Sequence, residues 1–189
     1  EVGGDLYDFF IEGNKLYFIV GDVSGKGIPA SLVMAVTCRL FRTVSDHVAT
    51  PAEIVTALND ALAESNESNM FCTFFIGILN LDNGHLQYCN AGHNAPVIIA
   101  PSGEVKFMEV QPNLPLGLFG GFPYEGQECD IVKGTSIFLY TDGVTEAEDM
   151  AKVLYSDERL LDLLRKQGEN TTQMIVDNVL DDINKHVNG

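Results

Sequence analysis

The chain has 189 residues, 46% of them apolar, and its 27 acidic and 11 basic side chains give a net charge of −16. A chain of this size can bury a full core within one domain spanning residues 1–189. Its charge excludes a nucleic-acid surface, which needs dense Lys and Arg, and fits either cation binding or an ordinary acidic surface.

Residues 4–10 and 15–22 read as two strands, joined by a turn at Glu12-Gly13-Asn14. A helix follows over 28–46, with Pro29 in its first turn and apolar residues on more than one face, so a well-buried helix is expected. Thr50-Pro51 starts a second helix over 51–66, with Thr50 as N-cap and Glu53 at N3. Met70 to Leu81 is almost continuously apolar, as in a strand covered on both faces. Asp82-Asn83-Gly84 turns the chain into a partner strand over 85–90. Short strands are expected at 96–100, 104–110, 124–132 and 135–141, with an irregular Gly- and Pro-rich loop over 112–123. Helices over 157–167 and 171–187 finish the chain, the last with strict i+4 spacing of Ile175, Val179, Ile183 and Val187.

Segregated strands and helices predict an α+β fold, with two antiparallel β-sheets packed as a sandwich and helices on the outer faces. There is no internal repeat or linker. The chain opens at Glu1, enters a motif within three residues and stops at Gly189, so a piece of a longer polypeptide, truncated at both ends, is expected. Cys38, Cys72, Cys89 and Cys129 lack ligand spacing, which predicts free thiols in a reducing compartment and no zinc site. No apolar run reaches the roughly 18–20 residues that span a bilayer, and no signal peptide is present, so direct membrane insertion is not expected.

Three acidic motifs stand where strands begin or end. Asp5 and Asp8 start the first strand, Asp22 ends the second, and Asp142 closes the apolar run Ile137–Tyr140. Hard cations such as Mg²⁺ and Mn²⁺ take carboxylate, carbonyl and water oxygens. Adjacent antiparallel strands set the start of one beside the end of the other, so Asp5 and Asp22 can meet. Flanking glycines let backbone carbonyls such as that of Val23 approach an ion. Gly-Asp and Asp-Gly are also ordinary turn signals, and spacing alone leaves both readings open. The Gly21–Gly27 loop is one residue short of a P-loop and lacks the Ser or Thr after Lys26. An EF-hand fails for want of its terminal glutamate, and a receiver-type aspartate would need a doubly wound parallel sheet.

The run GGDLYDF, GDVSGKGIPASLVM, AGHNAP, PLGL and YTDGVTEA closely resembles the SpoIIE/RsbU-type branch of the bacterial PPM (type 2C) protein phosphatases. The match holds in order and spacing from residue 2 to about residue 165. The resemblance implies an αββα sandwich and two Mn²⁺ or Mg²⁺ ions. It further implies hydrolysis of phosphoserine or phosphothreonine on a protein substrate of the anti-sigma-factor antagonist type. It places Asp5 on one metal, Asp22 between both with the Val23 carbonyl nearby, and Asp142 on the other metal. Asp22 and Asp142 are then the catalytic pair, and Asp8 acts behind the ligands or through water. One departure is clear. The family's terminal Asp-Asp-x-Thr strand is absent, because Asp181-Asp182 lies in an amphipathic helix read as a solvated face. The missing strand is expected beyond Gly189, which makes an inactive fragment a real alternative.

A metal-activated water attacking phosphorus in line is the expected chemistry. No nucleophilic triad is apparent, since Ser24 has no histidine near it in sequence. His93 is a candidate general acid or, alternatively, a loop-structuring residue. Lys26 reads as a phosphate contact or a solvated turn lysine. The helix over 28–46 follows the Asp22 loop directly and is expected to switch Asp22 geometry under a sensory N-terminal region of the parent chain. A cytoplasmic location is expected, with that N-terminal region as any membrane tether. The competing reading is a non-catalytic phosphoprotein-binding or regulatory domain.

Overall fold

Gly13 and Asn14 alone reverse the chain between β1 (Asp5–Glu12) and β2 (Lys15–Val23). Gly13 takes a left-handed φ of 58°, which costs glycine nothing and suits a two-residue hairpin. In the computed structural model, which describes residues 3–64, 70–168 and 170–189, this hairpin opens the first of two compact units. That unit comprises Glu1–His93 and Val110–Ile131, and the second comprises Asn94–Glu109 and Val132–Gly189.

The first unit is built on a five-stranded antiparallel sheet. After β1 and β2 come β3 (Cys72–Asn80), β4 (His85–Ala91) and, beyond two strands of the second unit, β7 (Gln127–Asp130). The order is β1-β2-β3-β4-β7. Leu6, Ile19, Val23, Cys72, Phe74 and Ile76 share one face and are buried with Phe41, Ile54 and Leu58 from the helices α1 (Ile28–Ser45) and α2 (Pro51–Glu64). Each such side chain contributes about 1.5–3 kcal/mol of transfer free energy. A slip of one residue would turn this whole set to the other face, so the apolar pattern fixes the register. The reverse face carries an aromatic ladder, with Phe18 6.3 Å from Phe75 and Phe75 5.9 Å from Tyr88 between ring centroids.

Thr50 and Glu53 form the expected capping box at α2. The Glu53 carboxylate accepts from the Thr50 N–H at 3.1 Å and from its hydroxyl at 2.8 Å. Residues 65 and 66 of that expected helix lie outside the described residues. α1 differs from expectation. Only Ala30, Thr37, Phe41 and Ser45 are buried, while Ile28, Leu32 and Val36 are 74%, 62% and 50% exposed. The helix lies on the sheet by one face, and its second apolar stripe stays open among the described residues. At 18 residues it is also long and apolar enough to cross a membrane by length and composition, although Arg39 and Arg42 interrupt it.

The irregular loop before β7 is pinned rather than loose. Cys72 and Leu116 exchange backbone hydrogen bonds at 3.0 and 2.8 Å. Fully buried Asn59 on α2 accepts from the Gly117 N–H at 3.0 Å and the Tyr124 hydroxyl at 3.1 Å, and donates to the Phe119 carbonyl at 2.8 Å.

The second unit holds a three-stranded antiparallel sheet in the order β6-β5-β8, formed by β5 (Val97–Ile99), β6 (Val105–Phe107) and β8 (Ser136–Phe138). These strands, like β7, are shorter than expected. β5 is confined between Pro96 and Pro101, and its neighbours pair only as far as it extends. Helices α3 (Asp142–Thr145), α4 (Asp157–Leu164) and α5 (Thr172–Asn188) complete the unit, with Tyr155, Leu160, Leu164, Ile175 and Val179 in its core. The two antiparallel sheets with their helices make the α+β class that the sequence predicts.

Candidate active site

Asp5 is the cross-strand partner of Asp22, and Asp22 is in turn the partner of Thr73 on β3. Directly opposed residues emerge on the same face, with Cβ atoms about 4.5–5.5 Å apart. Asp5, Asp22 and Thr73 therefore form a row across three strands at one end of the sheet. In this row Asp5 is exposed and Asp22 half-buried. Behind it the Val23 N–H donates to the Gly4 carbonyl at 3.2 Å. A Cβ on Gly4 would collide with the Val23 carbonyl oxygen and come within 2.9 Å of an Asp22 carboxylate oxygen. Only glycine lets the two strands close around these oxygens.

The row continues toward His93. The Asn90 side chain accepts from the His93 N–H and donates to the His93 carbonyl, both at 2.8 Å. This clamp holds the backbone of a residue that is 6% exposed, and its ring Nδ1 lies 2.9 Å from the Thr73 hydroxyl. The Asn90 bonds fix the backbone of this turn, and the imidazole meets a side-chain hydroxyl. The Thr73 partnership was not foreseen. Its signal is a lone hydroxyl near the start of the largely apolar run Met70–Leu81.

The neighbouring candidates sort themselves by their partners. The Ser24 hydroxyl accepts from the Phe71 N–H at 2.8 Å, and the Ser24 N–H donates to the Phe71 carbonyl at 2.8 Å. It locks the end of β2 to the start of β3. Lys26 is exposed. Asp8 lies an odd number of residues from Asp5 and so on the opposite face. There Arg42 of α1 grips it through Nε at 2.6 Å and Nη2 at 2.5 Å. These bonds hold the Asp8 carboxyl below its usual range. The same guanidinium sits 5.3 Å from the Phe10 ring centroid, and Phe10 lies 5.3 Å from Phe41. Asp8 thus ties α1 to the sheet.

In the second unit, Asp142 does not close a strand. β8 stops at Phe138, and Asp142 opens the one-turn helix α3, where its carbonyl accepts from the Glu146 N–H at 2.8 Å. Its side chain is exposed. Asp182 is not a solvated helix residue either. Arg159 binds it through Nε at 2.9 Å and Nη2 at 3.2 Å, and the Tyr155 hydroxyl donates to it at 2.8 Å. Arg159 is the first cause of the lowered Asp182 pKa. All four cysteines are free, and burial pushes the Cys72 thiol well up and the Cys89 thiol up to about 12.

Among the described residues, no group of three or more His, Cys, Asp or Glu side chains gathers in a way that could hold a metal. What the sheet end offers is two carboxylates and a carbonyl. Such an all-oxygen donor set suits hard divalent cations, and it forms because Gly4 leaves the space free.

The model of the Stage II sporulation protein E (SpoIIE) family matches residues 12–189. Phosphoserine phosphatase RsbU of Bacillus subtilis (strain 168) is 26% identical over 185 residues, covering 98% of this chain and 55% of RsbU. The SiaA-PP2C domain of Pseudomonas aeruginosa superposes with a TM-score of 0.85 at 18% identity, over 98% of this chain and 74% of that one. RsbX in complex with magnesium gives a TM-score of 0.72 at 18% identity, over 98% of this chain and 81% of that one. At these identities the two structures speak for the fold. The chain spans between 34% and 55% of the length of the curated relatives it matches. It belongs to the SpoIIE family and has the fold of a SpoIIE/RsbU-type PPM phosphatase domain.

Proposed function

We propose that the chain is a metal-dependent serine/threonine protein phosphatase domain that hydrolyses phosphoserine or phosphothreonine on a protein substrate of the anti-sigma-factor antagonist type. The observation that carries this reading is the Asp5–Asp22 cross-strand pair at the Gly4 cradle, in a member of a family that includes phosphoserine phosphatases. Asp5 and Asp22, with the Val23 carbonyl, would hold Mn²⁺ or Mg²⁺. Asp142 is assigned to a second ion through the resemblance of Thr141-Asp142-Gly143 to the family motif. Bound cations would supply a water of lowered pKa and neutralise charge on the phosphoryl oxygens. The chain's own residues set the geometry. The β1–β2 register fixes the carboxylate pair, Gly4 admits the carbonyl, and Ser24 anchors the strand end that carries them. One catalytic domain over residues 1–189, a regulatory region elsewhere in the parent chain and a cytoplasmic site of action belong to the same proposal.

The lack of a cluster of three ligands among the described residues favours a second reading, a phosphoprotein-binding domain without turnover. Phosphate release from a phosphoserine protein with Mn²⁺, measured beside an Asp22→Ala control, separates the two. The phosphatase reading expects release that depends on Mn²⁺ and falls at least about 100-fold in the variant, as when a charge-stabilising group is lost. Capture of the phosphoprotein without release, unaltered by Asp22→Ala, would establish the binding reading instead.

A further inference from the structure

The AGHNAP motif contributes a buried histidine that none of the chemistry above uses. Its ring meets Thr73, and Thr73 stands beside Asp22. The Thr73 hydroxyl has one proton to give and two neighbours, His93 Nδ1 at 2.9 Å and the Asp22 carbonyl at 3.4 Å. With the imidazole proton on Nδ1, the ring donates to the hydroxyl and the hydroxyl proton is left for the carbonyl. One direction of donation then links all three groups.

The carbonyl concerned belongs to the peptide joining Asp22 to Val23. The other end of that peptide, the Val23 N–H, donates to the Gly4 carbonyl at 3.2 Å. This one peptide unit separates the two proposed ligands, the Asp22 carboxylate before it and the Val23 carbonyl after it. It is held from β1 by Gly4 and from β3 by Thr73. The backbone of His93 is in turn fixed by two buried hydrogen bonds with the Asn90 side chain, one given and one accepted. Groups behind metal ligands set the ligands' direction, and their loss typically costs 10–100-fold in affinity or activity.

We propose that Thr73 and His93 are positioning residues for the metal site, orienting the Asp22–Val23 peptide through a His93–Thr73–Asp22 hydrogen-bond relay. The inference rests on the metal-dependent reading of the site and adds to it a defined path from the AGHNAP turn to Asp22.

The test measures Mn²⁺ affinity of the 189-residue chain from the electron paramagnetic resonance of free Mn²⁺, alongside the melting temperature without metal. Thr73→Val removes the hydroxyl at constant shape and Thr73→Ser keeps it. His93→Ala removes the ring, whereas His93→Asn keeps a donor near the place of Nδ1. Thr73→Val and His93→Ala should each weaken Mn²⁺ binding by roughly 10-fold or more. Thr73→Ser and His93→Asn should recover most of the loss. The double variant should bind no worse than either single one, because both cut the same relay.

Unchanged Mn²⁺ affinity in Thr73→Val and His93→Ala, with only the melting temperature lowered, would reduce the pair to a structural brace and overturn the proposal. So would additive losses in the double variant. Should His93→Ala fail to fold, Thr73→Val against Thr73→Ser decides alone. A wild-type chain that binds Mn²⁺ no better than Asp22→Ala brings down the metal-dependent reading itself, and this inference with it.

Discussion

Asp22 owes its place to nine consecutive cross-strand pairs between β2 and β3, whereas Asp182 owes its place to one arginine and one tyrosine. The first arrangement is made by backbone register, which every buried residue along the strands helps to hold. The second is made by side chains reaching 23 and 27 residues along the sequence. Register is cooperative and indifferent to most single surface changes. A side-chain clamp is local, and one substitution removes it. The two units should therefore respond differently to the same kind of damage.

The largest effect is expected in the first unit. Phe74 is fully buried in the middle of the sheet face that packs under α1 and α2. Phe74→Ala should cost about 3–5 kcal/mol, read as a fall in the urea midpoint with a loss of β-sheet signal. Asp22 sits on the neighbouring strand, so Mn²⁺ binding should be lost together with the sheet. Retention of Mn²⁺ binding in a chain that has lost sheet signal would break the link between register and site.

Arg159→Ala should act on the second unit by a smaller amount. Arg159 gives Asp182 two hydrogen bonds, and its guanidinium lies 4.9 Å from the Tyr155 ring centroid. Its side chain is 40% exposed, so water already screens much of the attraction. A loss of about 1–2 kcal/mol is expected, ion pair and ring contact together. Arg159 also fixes a tautomer. Arginine only donates, so His186 Nδ1 accepts from it at 2.8 Å and Nε2–H donates to the Val153 carbonyl at 3.0 Å. The variant should free Nδ1 of that ring, and a change in the His186 nitrogen shifts by NMR would report it. A native-like His186 spectrum in Arg159→Ala would show that the clamp is not what holds α5.

The same contrast explains what could be read from the sequence. Asp5 beside Asp22 was legible because antiparallel strands of alternating pattern admit one register, and a turn at Gly13-Asn14 fixes it. The capping box at Thr50 was legible because all its atoms lie within four residues. Asp8 with Arg42, Thr73 with His93, and Asp182 with Arg159 were not. Each pair joins separate elements through side chains, and no periodicity reports which polar residues will face each other. Asp142 was misplaced for a related reason. The apolar run Ile137–Tyr140 looks like strand to its end, but pairing stops at Phe138 because the partner strand β5 is only three residues long. The open face of α1 was also illegible, since its apolar residues do not reveal which of them the sheet will cover.

The smallest expected effect sharpens the contrast through pH. Arg159 lowers the folded-state pKa of Asp182 from an ordinary value of 3.8. A carboxylate with a depressed folded pKa contributes stability that is fully present above its unfolded pKa. That contribution is lost as pH falls below about 4 and through the lower folded value. The stability difference between wild type and Arg159→Ala should therefore be full near about pH 6 and shrink below about pH 4. Asp8 is lowered in the same direction by Arg42, so Arg42→Ala should show the same acid limb in the first unit. There the surrounding register leaves the ion pair a smaller share of the total. Urea midpoints at the two pH values measure both. An Arg42→Ala difference that grows as pH falls would mean that the Asp8–Arg42 pair does not stabilise the attachment of α1, and that packing of Phe10 on Phe41 holds it alone.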